Sequence, residues 1–417
     1  ASRIDLNQAL RQGGQKGVLG SMHAPRMRNA LVVSEVALSL VLTVAAGLLF
    51  RSMTTLEAVD LGFTPEQLIV MHTSVAAKED AAVQKATYFY RDVLPQIRVI
   101  PGVEAAAGVM GLPAGKRGSN GAYDIEGRAL SDSLSQRPKA GFNVTTPQYF
   151  TAMKTPILQG RDFDERDTYQ APGVAIVNRA FVRREFPRGD ALGKRVRCGL
   201  DRDIWMTIVG VVGDVRHDNP AQEPGPQMYM PYLQHPWYSD ELDVVIRASG
   251  DMAPITAAAQ EVASSRNPDV ALSFSTMDTI LAKAVSTPRF RSVLMMAFAG
   301  LALLLAIAGV YGVIAYAVSQ RMSEMGLRAA LGASRSDLVR LVLRQSLGIA
   351  LVGLVIGTVL AIVSSRLLQS MLYGVKPLDP ATYAFAASGI VVIAIAAALL
   401  PSLRAARVDP VEALRAE

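Results

Sequence analysis

The sequence predicts an α-helical membrane protein with four transmembrane helices and an α+β extracytoplasmic domain between helices 1 and 2. Three observations carry this. Four apolar spans, Ala30–Phe50, Ser292–Val318, Leu347–Ser365 and Thr382–Leu403, each approach or exceed the roughly 20 apolar residues that a helix needs to cross a bilayer. One span precedes a polar insert of 239 residues and three follow it. Inside that insert, strand-like and helix-like runs alternate.

The first span ends in the uncharged stretch Val41–Phe50, and the second contains the uncharged run Met295–Ile307. A water-facing helix of that length would show a polar side. Lys and Arg in the short flanking segments set the orientation. Arg3, Arg11, Lys16, Arg26 and Arg28 precede the first span. Arg321, Arg328, Arg335, Arg340 and Arg344 lie between the second and third, and Arg404, Arg407 and Arg415 follow the fourth. The loop between the third and fourth holds only Arg366 and Lys376. Both termini and the second-to-third loop are therefore expected in the cytoplasm, and the insert outside it. The domain boundaries read as a cytoplasmic segment 1–29, helix 1 at 30–52, an extracytoplasmic domain at 53–289, helices 2–4 at 290–404 and a cytoplasmic tail at 405–417.

The net charge of +6 divides along the same lines. Residues 52–290 hold 25 Lys/Arg against 28 Asp/Glu, and the remainder 17 against 8. The basic balance is thus a topology signal, and the slightly acidic insert argues against a nucleic-acid partner. Cys198 is the only cysteine, so an intrachain disulfide is excluded and the insert must be held by its own core. Placed outside the cytoplasm, Cys198 is expected to react with an impermeant thiol reagent if the fold exposes it. Four histidines with no close pair give no metal signal, and no cofactor is expected.

Within the insert, Leu68–Ser74 reads as a strand, Asp80–Val99 as a helix and Val103–Met110 as the returning strand. At the other end Asp243–Ala248, Pro254–Ser265 and Val270–Ser275 repeat the strand–helix–strand order. Between these two βαβ units the texture changes. Gly/Pro turns separate the strand runs Val174–Asn178 and Thr207–Val215, which suggests an inserted subdomain. Two strings imitate nucleotide motifs. Gly111-Leu-Pro-Ala-Gly115-Lys116 has too few residues between its glycines for a phosphate loop and lacks the hydroxyl after its lysine. Leu10-Arg-Gln-Gly-Gly-Gln15 has nothing around it that builds a nucleotide fold. Both read as turns, and no enzymatic activity is expected of this chain.

The segment from Gln320 to Arg344 is the most informative of the expected cytoplasmic elements. Glu324 and Arg328 stand four apart in the favourable order for a helical ion pair. Gly332 can end that helix, and Ser334 can cap the next, with Asp337 three residues on completing a capping box. A helix, a tight turn and a second helix would project a short rigid knob. In the third span, Gly353 and Gly357 form a GxxxG spacing that allows close helix approach in lipid. Glu35, the one acid inside a span, can snorkel or pair with Arg28 or a neighbouring helix.

Four stretches in order resemble the MacB/FtsX-type ABC transporter permeases. Asn29–Leu40 through Arg51-Ser52 is similar to their first membrane helix. Thr145–Phe150 followed by Gln159–Phe163 resembles their periplasmic core domain. Glu324, Arg328 and Leu331-Gly332-Ala333-Ser334 resemble their ATPase-coupling segment, and Pro401–Arg407 with Asp409–Leu414 their C-terminal signature. The resemblance implies a bacterial inner-membrane permease with a split βαβ, porter-like core. It implies a mechanotransmission role in efflux or in the cell envelope, with a cytoplasmic ABC ATPase as partner and a periplasmic adaptor or envelope protein as a further one. The alternative is an ATP-independent scaffold or regulator whose outer domain binds an envelope protein. In MacB an ATPase domain precedes the first span, whereas here residues 1–13 match residues 405–417. Ala1, Arg3, Asp5, Ala9, Leu10 and Arg11 recur as Ala405, Arg407, Asp409, Ala413, Leu414 and Arg415. That repeat implies the second half of a duplicated permease, with a homologous half linked to it or paired with it as a dimer.

Overall fold

The computed structural model describes residues 23–74, 80–115, 118–128, 136–199, 204–217, 222–239, 241–268, 270–320 and 334–405. The two matching ends of the chain, and Glu324, Arg328, Leu331, Gly332 and Ala333, lie outside the described residues. The chain forms two compact units, one of long helices and one spanning Ala58–Thr287.

The helical unit contains α1 (His23–Glu57), α7 (Ser286–Gln320), α8 (Arg335–Leu367) and α9 (Pro380–Ala405). All four are long and apolar enough to cross a membrane. Leu304 and Leu305 on α7, Val355 and Val359 on α8, and Val392 on α9 stay exposed within the unit, as side chains facing lipid would. The buried seam is narrower. It contains Val36, Leu40, Val44 and Leu48 of α1 with Val310 and Ile314 of α7, Ala361 of α8 and Ile390 of α9.

In the other unit, β1 (Leu68–Ser74), α2 (Asp80–Arg98) and β2 (Val103–Val109) form the first βαβ element. The elements that follow are β3 (Ser119–Ile125), β4 (Lys139–Thr145), α3 (Tyr149–Met153), β5 (Ile157–Gly160), β6 (Val174–Asn178), α4 (Arg179–Glu185), β7 (Arg195–Cys198), β8 (Met206–Val212) and β9 (Gln227–Pro231). The unit ends with β10 (Asp243–Ala248), α5 (Met252–Arg266), β11 (Ala271–Thr276) and α6 (Met277–Ala284). The two βαβ elements interleave. The strand order is β11-β1-β10-β2, with each neighbouring pair antiparallel, so each element is split by a strand of the other.

Strand alternation sorts the side chains between two cores. Ile69 and Met71 of β1, Val244 and Ile246 of β10 and Ala106 of β2 face α2 and α5, where they meet Tyr90, Val93, Ile97, Ile255 and Ala259. Leu68, Val70, Val245, Ala105 and Ala107 face the opposite way, onto Tyr149, Phe150, Phe163 and Tyr229. Burial on both faces explains why these strands read as continuous apolar runs.

The inserted part is a closed ring of strands, β4-β3-β7-β8-β6-β9, sealed by the parallel pairing of β9 back onto β4 from Gly141↔Gln227 to Thr145↔Pro231. Closure removes strand edges and leaves an interior filled by side chains. Tyr123, Phe142, Val177, Phe181, Met206 and Met228 supply that filling. Asn178 starts α4 by accepting the Phe181 N–H at 3.0 Å, which helps fix Phe181 in place. Cys198 belongs to the same interior. It is only 2% exposed, with its Sγ 3.5 Å from the Met230 sulfur. A bulky maleimide should therefore fail to label Cys198 in the native protein and label it after denaturation in a sealed vesicle. Rapid native labelling would show that the ring opens.

Candidate functional site

The helix that begins beyond residues 321–333 starts as the Ser334/Asp337 spacing predicts. Ser334 is extended (φ −72°, ψ 155°) and its Oγ accepts the Asp337 N–H at 3.3 Å. The Asp337 carboxylate in turn accepts the Ser334 N–H at 3.2 Å and the Ser334 hydroxyl at 2.5 Å. These bonds, the hydroxyl first, hold the Asp337 carboxyl below its ordinary range. The anion also sits at the positive end of the helix dipole. The first turn of α8 is thus fixed by reciprocal bonds.

Farther along α8, Gly353 and Gly357 lie against α1. A Cβ on Gly353 would come within 2.8 Å of the Val36 Cβ, and one on Gly357 within 2.9 Å of the Ala37 Cα and carbonyl oxygen. No side chain fits there, so the two backbones are in contact. Polar bonds tie α1 to other helices. Ser39 donates to the Ala302 carbonyl at 2.8 Å, and Ser292 to the Leu49 carbonyl at 3.1 Å. Near the C-terminal end of α1, Arg51 pairs with Asp379 at 2.5 Å, and the Tyr373 N–H donates to the Ser52 Oγ at 2.7 Å. Asp379 also caps α9 through Thr382, and the Thr382 hydroxyl followed by Arg51 and the Thr382 N–H keeps its carboxyl below the usual range.

Glu35 does not pair with Arg28. The Arg28 guanidinium lies 3.9 Å over the Tyr316 ring, and Glu35 Oε2 is buried with no hydrogen-bond partner among the described residues. It rests against Gly309, where a Cβ would be 1.8 Å from that oxygen.

In the other unit, the strings Thr145–Phe150 and Gln159–Phe163 meet. The Gln148 N–H, at φ 73°, donates to Asp162 Oδ2 at 3.2 Å, and the Phe163 N–H donates to Asp162 Oδ1 at 2.7 Å. Arg161 forms a fork onto Asp167 at 2.8 and 2.7 Å. Tyr149, Phe150 and Phe163 all enter the second core. This part of the resemblance is therefore a structural knot. Residues 111–115 form a turn closed by Gly115 N–H to the Leu112 carbonyl at 3.0 Å, and the next described element is the strand β3.

Sequence reading missed three polar features that only the tertiary fold assembles. His72 bridges three strands, with Nδ1 2.7 Å from Asp243 Oδ1 and Nε2 3.0 Å from Ser275 Oγ. Arg247 is 2% exposed and donates to the carbonyls of Thr64, Glu66 and Ala152. His217 is buried 3.1 Å from the Tyr229 hydroxyl, and burial pushes its imidazole down to about 4.

The last value has a consequence for stability. The folded pKa of His217 lies below the ordinary 6.5, so the unfolded chain binds the proton more readily. Its contribution is intact above about pH 6.5 and is lost on acidification towards pH 4, by roughly 3 kcal/mol. Both tryptophans, Trp205 and Trp237, lie in the Ala58–Thr287 unit, so their fluorescence reports its unfolding in the full chain. Denaturant midpoints should fall between pH 6.5 and 4, and His217→Gln should flatten that slope. A variant with the same slope would remove His217 from this role.

Taken with four spans and an α+β domain between the first and second, these features define a multi-pass membrane protein of the permease type. The MacB-like periplasmic core domain family matches residues 30–264, and the FtsX-like permease C-terminal family matches residues 296–410. The chain belongs to the MacB-like family. It is 23% identical over 275 residues to the macrolide export ATP-binding/permease protein MacB of Bdellovibrio bacteriovorus, covering 63% of this chain and 42% of that protein. It is 26% identical over 287 residues to the pyoverdine export ATP-binding/permease protein PvdT of Pseudomonas putida, covering 66% and 42%. The chain thus spans less than half the length of these relatives. Among solved structures, the periplasmic region of MacB from Actinobacillus actinomycetemcomitans aligns with a TM-score of 0.36 and 14% identity, covering 53% of this chain and 94% of that one. The extracellular domain of the transporter YknZ aligns with a TM-score of 0.33 and 14% identity, covering 50% and 98%.

Proposed function

We propose that this chain is the permease part of an ABC-type export or cell-envelope system. ATP turnover in a cytoplasmic partner is conveyed by the segment Glu324–Ser334 into α8, from α8 to α1 through the Gly353/Gly357 contact, and along α1 into the extracytoplasmic domain. The observation that carries this reading is mechanical. A capped helix start, a backbone-to-backbone contact between α8 and α1, and an α1 that runs to Glu57 support that path. The Lys/Arg asymmetry supports termini and coupling segment on the cytoplasmic side. Relatives named for macrolide and pyoverdine export support export as the process served. The match between residues 1–13 and 405–417 supports a homologous permease half as the second partner.

The test uses the full chain reconstituted with the ABC ATPase encoded nearest to it. Gly332→Pro removes a backbone donor and the helix-ending geometry, and Glu324→Lys places like charges four apart. Permease-stimulated ATP hydrolysis should fall roughly tenfold, within the usual range of coupling energies, while basal hydrolysis and membrane insertion persist. The exposed Glu261→Lys on α5 is the outer-domain control. If both coupling variants retain full stimulation and partner binding, the scaffold reading replaces this one.

A further inference from the structure

A polar cavity of about 370 Å³ opens in the outer domain where β3, β4 and β9 converge. That volume falls within the range of small-ligand sites. Its walls are glycine-rich, with Gly115, Gly118, Gly141 and Gly225 all contributing. Two amide side chains, Asn143 (3% exposed) and Gln227 (6% exposed), form part of the lining and bond to each other at 3.0 Å. One amide of the pair gives its NH₂ to the oxygen of the other. The pair therefore retains one amide oxygen and one amide NH₂ with no other partner among the described residues. This holds whichever way both amides are turned, because reversing both only exchanges the residues that carry the free donor and acceptor.

The site around the pair is built. The Gln227 N–H donates to Asn178 Oδ1 at 2.9 Å, and Asn178 Nδ2 donates to the Gly225 carbonyl at 2.9 Å. Gly141 lets the Gln227 amide lie flat on β4, since a Cβ there would meet Gln227 Oε1 at 2.3 Å. Among the described lining residues, Lys139 alone carries a full charge, because burial keeps His217 neutral at physiological pH. No described carboxylate pairs with the Lys139 ammonium.

A donor beside an acceptor is the complement of a peptide group, which presents one C=O and one N–H. A lone ammonium beside them is the complement of a carboxylate. We propose that this cavity binds the C-terminal end of a short peptide with small side chains, the amide pair holding a peptide group and Lys139 the terminal carboxylate. The glycine lining suits small side chains, because it lets a second backbone approach closely. The site is independent of the export reading and is tested without an ATPase.

The probe is the tripeptide Ala-Ala-Ala, titrated calorimetrically into the full chain in lipid nanodiscs, beside its C-terminal amide. The free acid should bind saturably with a Kd of millimolar order or tighter. The amidated peptide should bind roughly tenfold more weakly, the worth of one charge-assisted bond. Lys139→Met, an exposed position that leaves the core untouched, should weaken the free acid to the level of the amide and abolish discrimination between them. Asn143→Asp and the double variant Asn143→Leu with Gln227→Leu should weaken both peptides, with the native tryptophan emission confirming the fold. Absence of saturable binding to the wild-type chain overturns the proposal. So does binding that Lys139→Met or the amide-pair variants leave unchanged.

Discussion

Replacing Arg247 with Met should lower the stability of the outer domain by about 2–4 kcal/mol. The guanidinium is buried on β10 and satisfies three backbone carbonyls, those of Ala152 at 2.8 Å, Thr64 at 2.6 Å and Glu66. Two of these belong to the segment leading into β1 and the third to α3, so one side chain ties the sheet to the chain entering it. Met fills a similar volume but donates nothing. Each carbonyl left dry costs about 1–3 kcal/mol. Relief from burying a charge returns part of that, since burial already pulls the Arg247 pKa down. Arg247→Lys should recover only part, because one ammonium cannot span carbonyls that the planar fork reaches together. The measurement is a denaturant melt of the full chain followed by tryptophan fluorescence. A loss below about 1 kcal/mol for the Met variant would mean that water takes over the three carbonyls.

Arg247 also shows where sequence reading stops. In Asp243–Ala248 the sequence shows an arginine among apolar residues and nothing local that fixes which way it faces. The fold places it on the same face as Val245, which is in the second core. Its carbonyl partners are 95 to 183 residues away, beyond any local pattern. The ring of strands was hidden for a related reason. Ser119–Ile125 is half polar, Arg195–Cys198 is four residues long, and the closing partners β4 and β9 are distant in sequence. Short strands paired at long range leave weak periodicity. What was legible had a local physical cause. The spans declare themselves because lipid tolerates no polar face. The Ser334/Asp337 box declares itself because a cap needs only residues three apart. β1, β2 and β10 read clearly because both their faces are largely buried. Their interleaving did not, because it depends on which strands pair, and the small-residue spacing in α8 named a contact without naming its partner.

That partner is α1, and the contact leaves no room for change. Gly353→Leu with Gly357→Leu should cost the helical unit about 3 kcal/mol or more, since each overpacked position typically costs about 1–3 kcal/mol. Lipid tails are as apolar as leucine, so no hydrophobic gain offsets the separation of the helices. The atoms in the way at Gly357 are the Cα and carbonyl oxygen of Ala37, which cannot rotate aside as a side chain can. Gly348→Leu on the same helix supplies the control, because a Cβ there meets no atom within 4 Å. Thermal unfolding in detergent, read by circular dichroism at the helix band, should show a large fall in midpoint for the double variant and little change for Gly348→Leu. Gly353→Ala and Gly357→Ala should lie between, with Gly357→Ala the more damaging because it meets backbone on two atoms. Under the proposed coupling path, the alanine variants that still fold should also lose ATPase stimulation, since a widened α1–α8 contact transmits less of any displacement of the Ser334 end. Alanine variants that unfold earlier yet keep full stimulation would place the transmission path elsewhere in the helical unit.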